Sequence, residues 1–306
     1  MKKTLLTLTV CLALLAGLTL VPAASSAAEP LKVSVTFDAI REFVLSVGGD
    51  KVEVSVIIPP GSEAHSFEPK AQDLVALGSA QIFVYNGLGM ESWAEQAIAA
   101  VNNPELIAVD ASTGAALIER SNEQGQANNA EAAQAQGKYD PHLWLSPSGA
   151  KIEAANIRDA LVTADPESAA YYEANYAAFA AQLDALIAEY QAKIAPLARR
   201  SFVTGHAAFG YLCRDFGLNQ NSVQDVFAEG EPSAQQLVQL VQYCRDNSVT
   251  TIFAEELASP EVSATLASEV GAKVETIYTM ESAEDNLTYV ERMQSNMEKI
   301  VASLAD

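Results

Sequence analysis

Residues 165–194 read DPESAAYYEANYAAFAAQLDALIAEYQAKI, and this stretch decides the architecture. Asp165 stands as a cap, Pro166 takes the first helical position and Glu167 falls in the first turn. Tyr172, Tyr176, Phe179, Leu183, Leu186 and Tyr190 then recur at three or four residues, and Pro196 ends the pattern. Pro166 to Ile194 predicts about 43 Å of helix at 1.5 Å per residue. That is longer than a packing element of one small domain. It suits a rod between two domains, with residues 28–165 before it, 166–195 as the linking helix and 196–306 after it.

Both flanks follow an α/β plan. Leu31 to Phe37 alternates as a strand, and Asp38 to Val47 reads as a helix stopped by Gly48-Gly49. Val52 to Ile58 is β-branched and halts at the turn Pro59-Pro60-Gly61. Pro69 to Leu77 and Glu91 to Ala100 are expected helices around the strands Gln81 to Tyr85 and Leu106 to Val109, and Ala150 to Thr163 is helical. The second half repeats the scheme. Strands are expected at Ser201 to Thr204, Thr250 to Ala254 and Val274 to Tyr278, with an extended piece at Ser222 to Phe227. Helices are expected at Ala208 to Phe216, Pro232 to Asn247, Pro260 to Val270 and Tyr289 to Leu304. Strands separated by helices of this length imply parallel sheets built from βα units. Glu119 to Gly137, rich in Asn, Gln, Ala and Glu, is expected to be a mobile loop.

Lys2 and Lys3 precede an apolar run from Leu5 to Val21 and a small-residue tract ending at Ala27-Ala28. This reads as a secretory signal peptide over residues 1–27. Threonines interrupt the run, which weighs against a membrane anchor. Cys11 sits in mid-run rather than at its end, so the product is expected to be soluble, periplasmic and without a lipid anchor. The formal charge of −21 repels nucleic acid and anionic lipid. Cys213 and Cys244 remain after cleavage, and in an oxidising compartment the pair is expected to form a disulfide. The alternative is two buried free thiols.

The chain has three histidines. His65 lies in Pro59-Pro60-Gly61-Ser62-Glu63-Ala64-His65-Ser66-Phe67-Glu68-Pro69. His142 lies in Asp140-Pro141-His142-Leu143-Trp144-Leu145-Ser146-Pro147, and His206 in Thr204-Gly205-His206-Ala207-Ala208-Phe209-Gly210-Tyr211. Each follows a strand or strand end among turn residues. Glu281 opens the loop after the strand Val274 to Tyr278. Ligands of open α/β sheets collect at the carboxyl ends of strands, so these side chains are placed to meet between two domains. A lone histidine is more often a core or surface residue. Three in equivalent positions with one carboxylate suit zinc and favour it over the harder manganese(II). Asp140 and Glu68 are candidates to orient the imidazoles, with helix capping an equal role for Asp140. Trp144 and Phe67 read as packing residues.

On these motifs the sequence resembles the substrate-binding proteins of zinc and manganese ABC importers, of the high-affinity zinc uptake type. The stretches around His65, His142 and His206 match the family's first three ligand loops, and Glu281 falls at the fourth position. The resemblance covers essentially the whole mature chain. It implies two pseudo-symmetric α/β lobes joined by one rigid helix. It also implies a metal site of His65, His142, His206 and Glu281, Zn2+ as the transported ligand and an ABC permease as partner. Members with a carboxylate at the third position take manganese, so His206 points to zinc. Zinc-importing relatives often fill the loop at 119–137 with histidines, and here there are none.

The function expected is an extracytoplasmic zinc receptor, not an enzyme and a monomer, that passes its ion to a permease. A manganese or iron(II) receptor of the same family is the alternative. A secreted zinc hydrolase would keep an open coordination position and need a nearby base. A sugar or peptide receptor would want an aromatic cleft, for which only Trp93 and Trp144 are available.

Overall fold

The computed structural model describes residues 29–120, 137–226, 228, 232–255, 260–283 and 285–305. The expected signal peptide lies outside these residues, as does most of the loop expected at 119–137.

The first half contains β1 (Leu31–Val35), α1 (Asp38–Gly48), β2 (Val52–Val56), α2 (Val75–Ser79), β3 (Ile82–Tyr85), α3 (Ala94–Val101), β4 (Ile107–Asp110) and α4 (Pro147–Ala164). Then comes α5 (Ala169–Ile194), followed by β5 (Ser201–Thr204), α6 (Gly210–Phe216), β6 (Asn219–Ser222), α7 (Ala234–Asp246), β7 (Thr251–Glu255), α8 (Pro260–Val270), β8 (Lys273–Ile277) and α9 (Tyr289–Ala305). The strands form two four-stranded sheets in the orders β2-β1-β3-β4 and β6-β5-β7-β8. All pairings are parallel. The second order is the first repeated with each strand number raised by four, so the halves are topological copies.

The central strands β1 and β3 meet through apolar side chains, their register setting Val33 beside Ile82 and Val35 beside Val84. Ala39, Ile40, Phe43, Val44 and Val47 of α1 are fully buried and recur at helical spacing. That face packs against β2, α4 and α5. Gly49, at φ 56°, ends α1 in a conformation that side chains avoid.

The long helix starts later than its sequence signal. Pro166–Ser168 is a separate 3-10 turn, and α5 runs 26 residues, about 39 Å. Asp165 does not cap it; its carboxylate instead accepts a hydrogen bond from the Tyr172 hydroxyl (3.1 Å). Tyr172, Phe179, Leu183, Leu186, Tyr190 and Ile194 form the buried stripe, while Tyr176 is half-buried. The helix packs on α1 and α4 of the first half and on α6 and α9 of the second. Asn175 donates to the Val47 carbonyl (3.0 Å), and the Tyr190 hydroxyl to the Gln294 carbonyl (3.3 Å). Phe179 also meets both Phe43 (5.8 Å between ring centroids) and Tyr289 (6.1 Å). One apolar cluster therefore runs through both halves.

Three further expectations are corrected. The helix expected at Pro69 to Leu77 is turn through Leu74, and only Val75–Ser79 is α-helical. The strand after α6 is Asn219–Ser222 rather than a piece at Ser222 to Phe227. It is an edge strand of polar residues, without the alternation that marks a strand in sequence. Cys213 and Cys244 are both free and buried, not a disulfide. Cys213 on α6 packs into the cluster shared by both halves. Cys244 on α7 packs into a separate cluster with Val203, Leu240, Ile252 and Leu266. Burial pushes the Cys244 thiol up to about 11, and raises the Cys213 thiol further still.

Candidate metal centre

The first histidine is set by an extension of the β1–β2 ladder. Ile57 and Ile58 donate to the Val35 and Thr36 carbonyls (2.9 Å each), and the chain then turns at Pro59, where Ser62 N–H donates back (3.1 Å). Ala64 is fully buried and anchors the turn that presents His65.

The stretch Asp140 to Pro147 is a chain of three local devices. Asp140 accepts the His142 backbone N–H at Oδ1 (2.9 Å). Leu143–Leu145 then forms a 3-10 turn. Ser146, not Asp140, caps α4 by accepting from Gly149 N–H (3.3 Å), with Pro147 at the first helical position. Trp144 is fully buried against Phe37 (4.7 Å) and the His142 ring (5.1 Å). Its indole N–H donates to the Thr279 carbonyl (2.8 Å), and the Tyr289 hydroxyl donates to the Trp144 carbonyl (2.6 Å). Phe67 packs on Trp93 (6.1 Å).

His206 follows β5 directly. Its carbonyl accepts from the Thr204 hydroxyl (2.6 Å) and the Gln220 amide (2.8 Å). Glu281 sits in the loop after β8, and this loop is docked on the first half. The Met280 and Glu281 carbonyls accept from Ala39 N–H (3.0 Å) and Asp38 N–H (3.3 Å) at the start of α1. Gly61 N–H donates to Ser282 Oγ (2.8 Å). Met280 is 1 % exposed at φ 61°, a costly conformation for a residue that carries a Cβ, held by these contacts.

The structure brings all four predicted side chains together. One ligand atom from each of His65, His142, His206 and Glu281 lies within 4.8 Å of the others. His142 Nε2 stands 3.1 Å from His65 Nε2 and 3.2 Å from His206 Nε2. His142, His206 and Glu281 are buried, and His65 is half-buried. A tetrahedron with zinc–nitrogen bonds of about 2.0–2.1 Å has edges of about 3.3–3.4 Å, close to these separations.

Two carboxylates orient the rings. His142 Nδ1 meets Asp140 Oδ1 at 2.9 Å, and His206 Nδ1 meets Glu255 Oε2 at 2.9 Å. Glu255 Oε1 also accepts the His206 backbone N–H (2.8 Å). With Nδ1 engaged as a donor, Nε2 keeps its lone pair for a metal. Glu68 is exposed and takes no such part. Glu255 escaped the sequence reading. Its signal is register: Thr204 pairs with Phe253 across β5 and β7, so two residues further His206 faces Glu255.

Burial, reinforced by the neighbouring rings, holds His65 well below the usual imidazole range, and His142 likewise. Burial also opposes charge on His206, but the carboxylates of Glu255, Glu281 and Glu63 outweigh it and raise that ring to about 9. Burial raises Asp140 to about 7. At neutral pH these shifts leave His206 as the one imidazolium beside two neutral rings.

Four inward donors between two α/β halves form a cluster of the kind that can hold one metal ion, the hallmark of a metal-binding protein. The chain belongs to the family described as zinc-uptake complex component A, periplasmic, whose model matches residues 33–303. It is 45 % identical over 273 residues to a putative metal-binding protein of Treponema pallidum, covering 89 % of this chain and 86 % of that one. It is 35 % identical over 286 residues to the high-affinity zinc uptake system protein ZnuA of Bacillus subtilis, covering 92 % and 90 %. Among solved structures, a zinc-bound ZnuA with residues 138–173 deleted matches at TM-score 0.78 and 33 % identity, over 91 % of this chain and 99 % of that one. Among the described residues no helix is long and apolar enough to cross a membrane.

Proposed function

We propose that this protein is the extracytoplasmic zinc receptor of an ABC-type importer. Nε2 of His65, His142 and His206 and a carboxylate oxygen of Glu281 hold the ion, which is then delivered to the permease. The observation that carries this reading is the convergence of the four donors within 4.8 Å, with the two Nε2–Nε2 separations from His142, 3.1 and 3.2 Å, near the edge of a zinc tetrahedron. Three imidazoles and one carboxylate select zinc over manganese(II), which prefers oxygen donors. The zinc-uptake relatives agree with the same cargo. We further assign residues 28–165 and 196–306 to the two lobes, 166–195 to the helix between them, residues 1–27 to an export signal and the monomer as the working unit.

The donor set fills a tetrahedral shell, and the two carboxylates beside it are engaged with imidazole N–H groups. Neither is placed as a free base, which argues against zinc hydrolysis. The test is elemental analysis of protein purified without added metal, followed by thermal melts with and without zinc. Zinc at about a thousand times Kd stabilises by about 4 kcal/mol. For about 280 residues at about 2.1 cal/mol/K each, that shifts Tm by about 7 °C. His142→Ala is expected to lose most of the shift, and an unchanged shift in that variant refutes the site.

A further inference from the structure

We propose that Gly205 and Gly210, which bracket the His206 turn, are positioning residues for the metal: each leaves room for one of the carboxylates that aim the imidazoles. The inference rests on the zinc-receptor reading above. A Cβ on Gly205 would stand 2.5 Å from Glu255 Oε2, 2.9 Å from its Cδ and 3.1 Å from its Oε1. Oε2 is the atom that holds His206 Nδ1. A Cβ on Gly210 would stand 2.6 Å from Asp140 Oδ2, with Ile118 Cδ1 next at 3.7 Å. Asp140 holds the His142 ring and backbone N–H through its other oxygen.

Neither glycine has the positive φ that would itself require glycine. Gly210 opens α6, where alanine is the better helix former. The carboxylates are thus the obstacle to a side chain at both positions. To relieve the Gly205 overlap, Oε2 must retreat by about an ångström, which breaks a 2.9 Å hydrogen bond to the ring. The His206 ring then loses its fixed tautomer and direction.

The two seats differ in reach. Gly205 directly follows β5, and Glu255 ends the neighbouring strand β7 of the same sheet. Gly210 belongs to the second half and Asp140 to the first, and the Tyr211 hydroxyl donates to the Asp140 carbonyl (2.8 Å) beside them. The start of α6 therefore sets the direction of a histidine across the site.

A double-mutant cycle on the full chain tests this, reading zinc affinity by chelator competition, the visible spectrum of the Co2+-loaded protein, and the Tm of the zinc-free protein. Gly205→Ala is expected to weaken zinc about 10–100-fold and to alter the Co2+ spectrum, with zinc-free Tm nearly unchanged. Glu255→Ala is expected to weaken zinc similarly. Adding Gly205→Ala to Glu255→Ala is expected to cost nothing more, because the new methyl fills the vacated space. Gly210→Ala with Asp140→Ala forms the parallel cycle and decides the matter if Gly205→Ala lowers the zinc-free Tm. Wild-type zinc affinity in both single glycine variants, or full additivity in both cycles, overturns the proposal. A wild-type protein that binds no zinc overturns the receptor reading instead.

Discussion

Zinc binding should release a proton at neutral pH. Of the three rings His206 is the one that carries a proton at neutral pH: its pKa is raised to about 9 although burial opposes it, because Glu255, Glu281 and Glu63 face it. His65 and His142 are pulled below the usual 6.5 and are already neutral at pH 7. Zinc needs the free Nε2 of His206, so binding expels that proton. Between pH 7 and about 9 each pH unit should raise the apparent affinity tenfold, about 1.4 kcal/mol. From pH 7 to 8.5 the gain is about thirtyfold, and above about 9 the profile should level. Below pH 7 the Asp140 carboxyl, raised to about 7 by burial, is also protonated in the empty protein and steepens the fall. Titration calorimetry in two buffers of different ionisation enthalpy counts the released proton, and chelator competition gives the affinity. Glu255→Gln removes the largest charge acting on His206 while keeping an acceptor for its ring, so its profile should flatten. A wild-type affinity that is flat from pH 7 to 8.5, with no proton released, would refute the reasoning.

Arg292 is 1 % exposed and bonds Asp38 (2.6 Å) and Asp285 (2.9 Å), tying α9 to the start of α1. Arg292→Ala leaves the buried Asp38 carboxylate with Arg41 as its one cation (2.7 Å) and should cost about 1.5–3 kcal/mol in denaturant unfolding; the exposed pair Lys193–Glu189 should cost under about 1 kcal/mol by the same assay. Cys213 and Cys244 should both take an alkylating label after unfolding without reductant, and an unlabelled mass would restore the disulfide. A Cβ on Gly149 would fall 2.1 Å from the Leu143 carbonyl oxygen. Gly149→Ala should therefore displace the turn that carries His142, cost about 1–3 kcal/mol and weaken zinc binding. A variant of wild-type stability and affinity would show that the turn can yield.

The parallel sheets were legible because their strands carry local β-branched and apolar patterns between helical ones. The polar strand Asn219–Ser222 was not, since an edge strand gains little from apolar side chains. Asp165-Pro166-Glu167 reads as a helix start, and the chain does turn helically there, but as a 3-10 turn that delays α5 by three residues. The histidines were legible because they are few and sit among turn residues; His65 and His206 come after β2 and β5, whereas His142 follows only the isolated Glu119–Tyr139 bridge. Asp140 was legible because it lies two residues from His142. Glu255 lies 49 residues from His206, and only the β5–β7 register joins them. The cysteine pairing failed for a related reason: composition and compartment favour a bond, but packing assigns the two thiols to different clusters.

The same distinction, between where a residue lies in the chain and what holds it, bears on how the centre can open. Glu281 follows a strand of the second sheet, yet its loop is gripped by first-half donors: Asp38 and Ala39 N–H, Gly61 N–H and the Trp144 indole. His65 and His142 belong to that half as well. His206 alone is fixed to the second sheet, by β5 and by Glu255 of β7. Any motion that parts the two sheets while sparing these backbone bonds removes His206, with its orienting carboxylate, from the other three donors. Zinc-free and zinc-loaded structures should then differ most in the distance from His206 to His142, with the separation of Glu281 from His142 nearly constant. A zinc-free structure in which Glu281 departs together with His206 would refute this, and would mean that the bonds at the start of α1 are weaker than the four-point attachment implies.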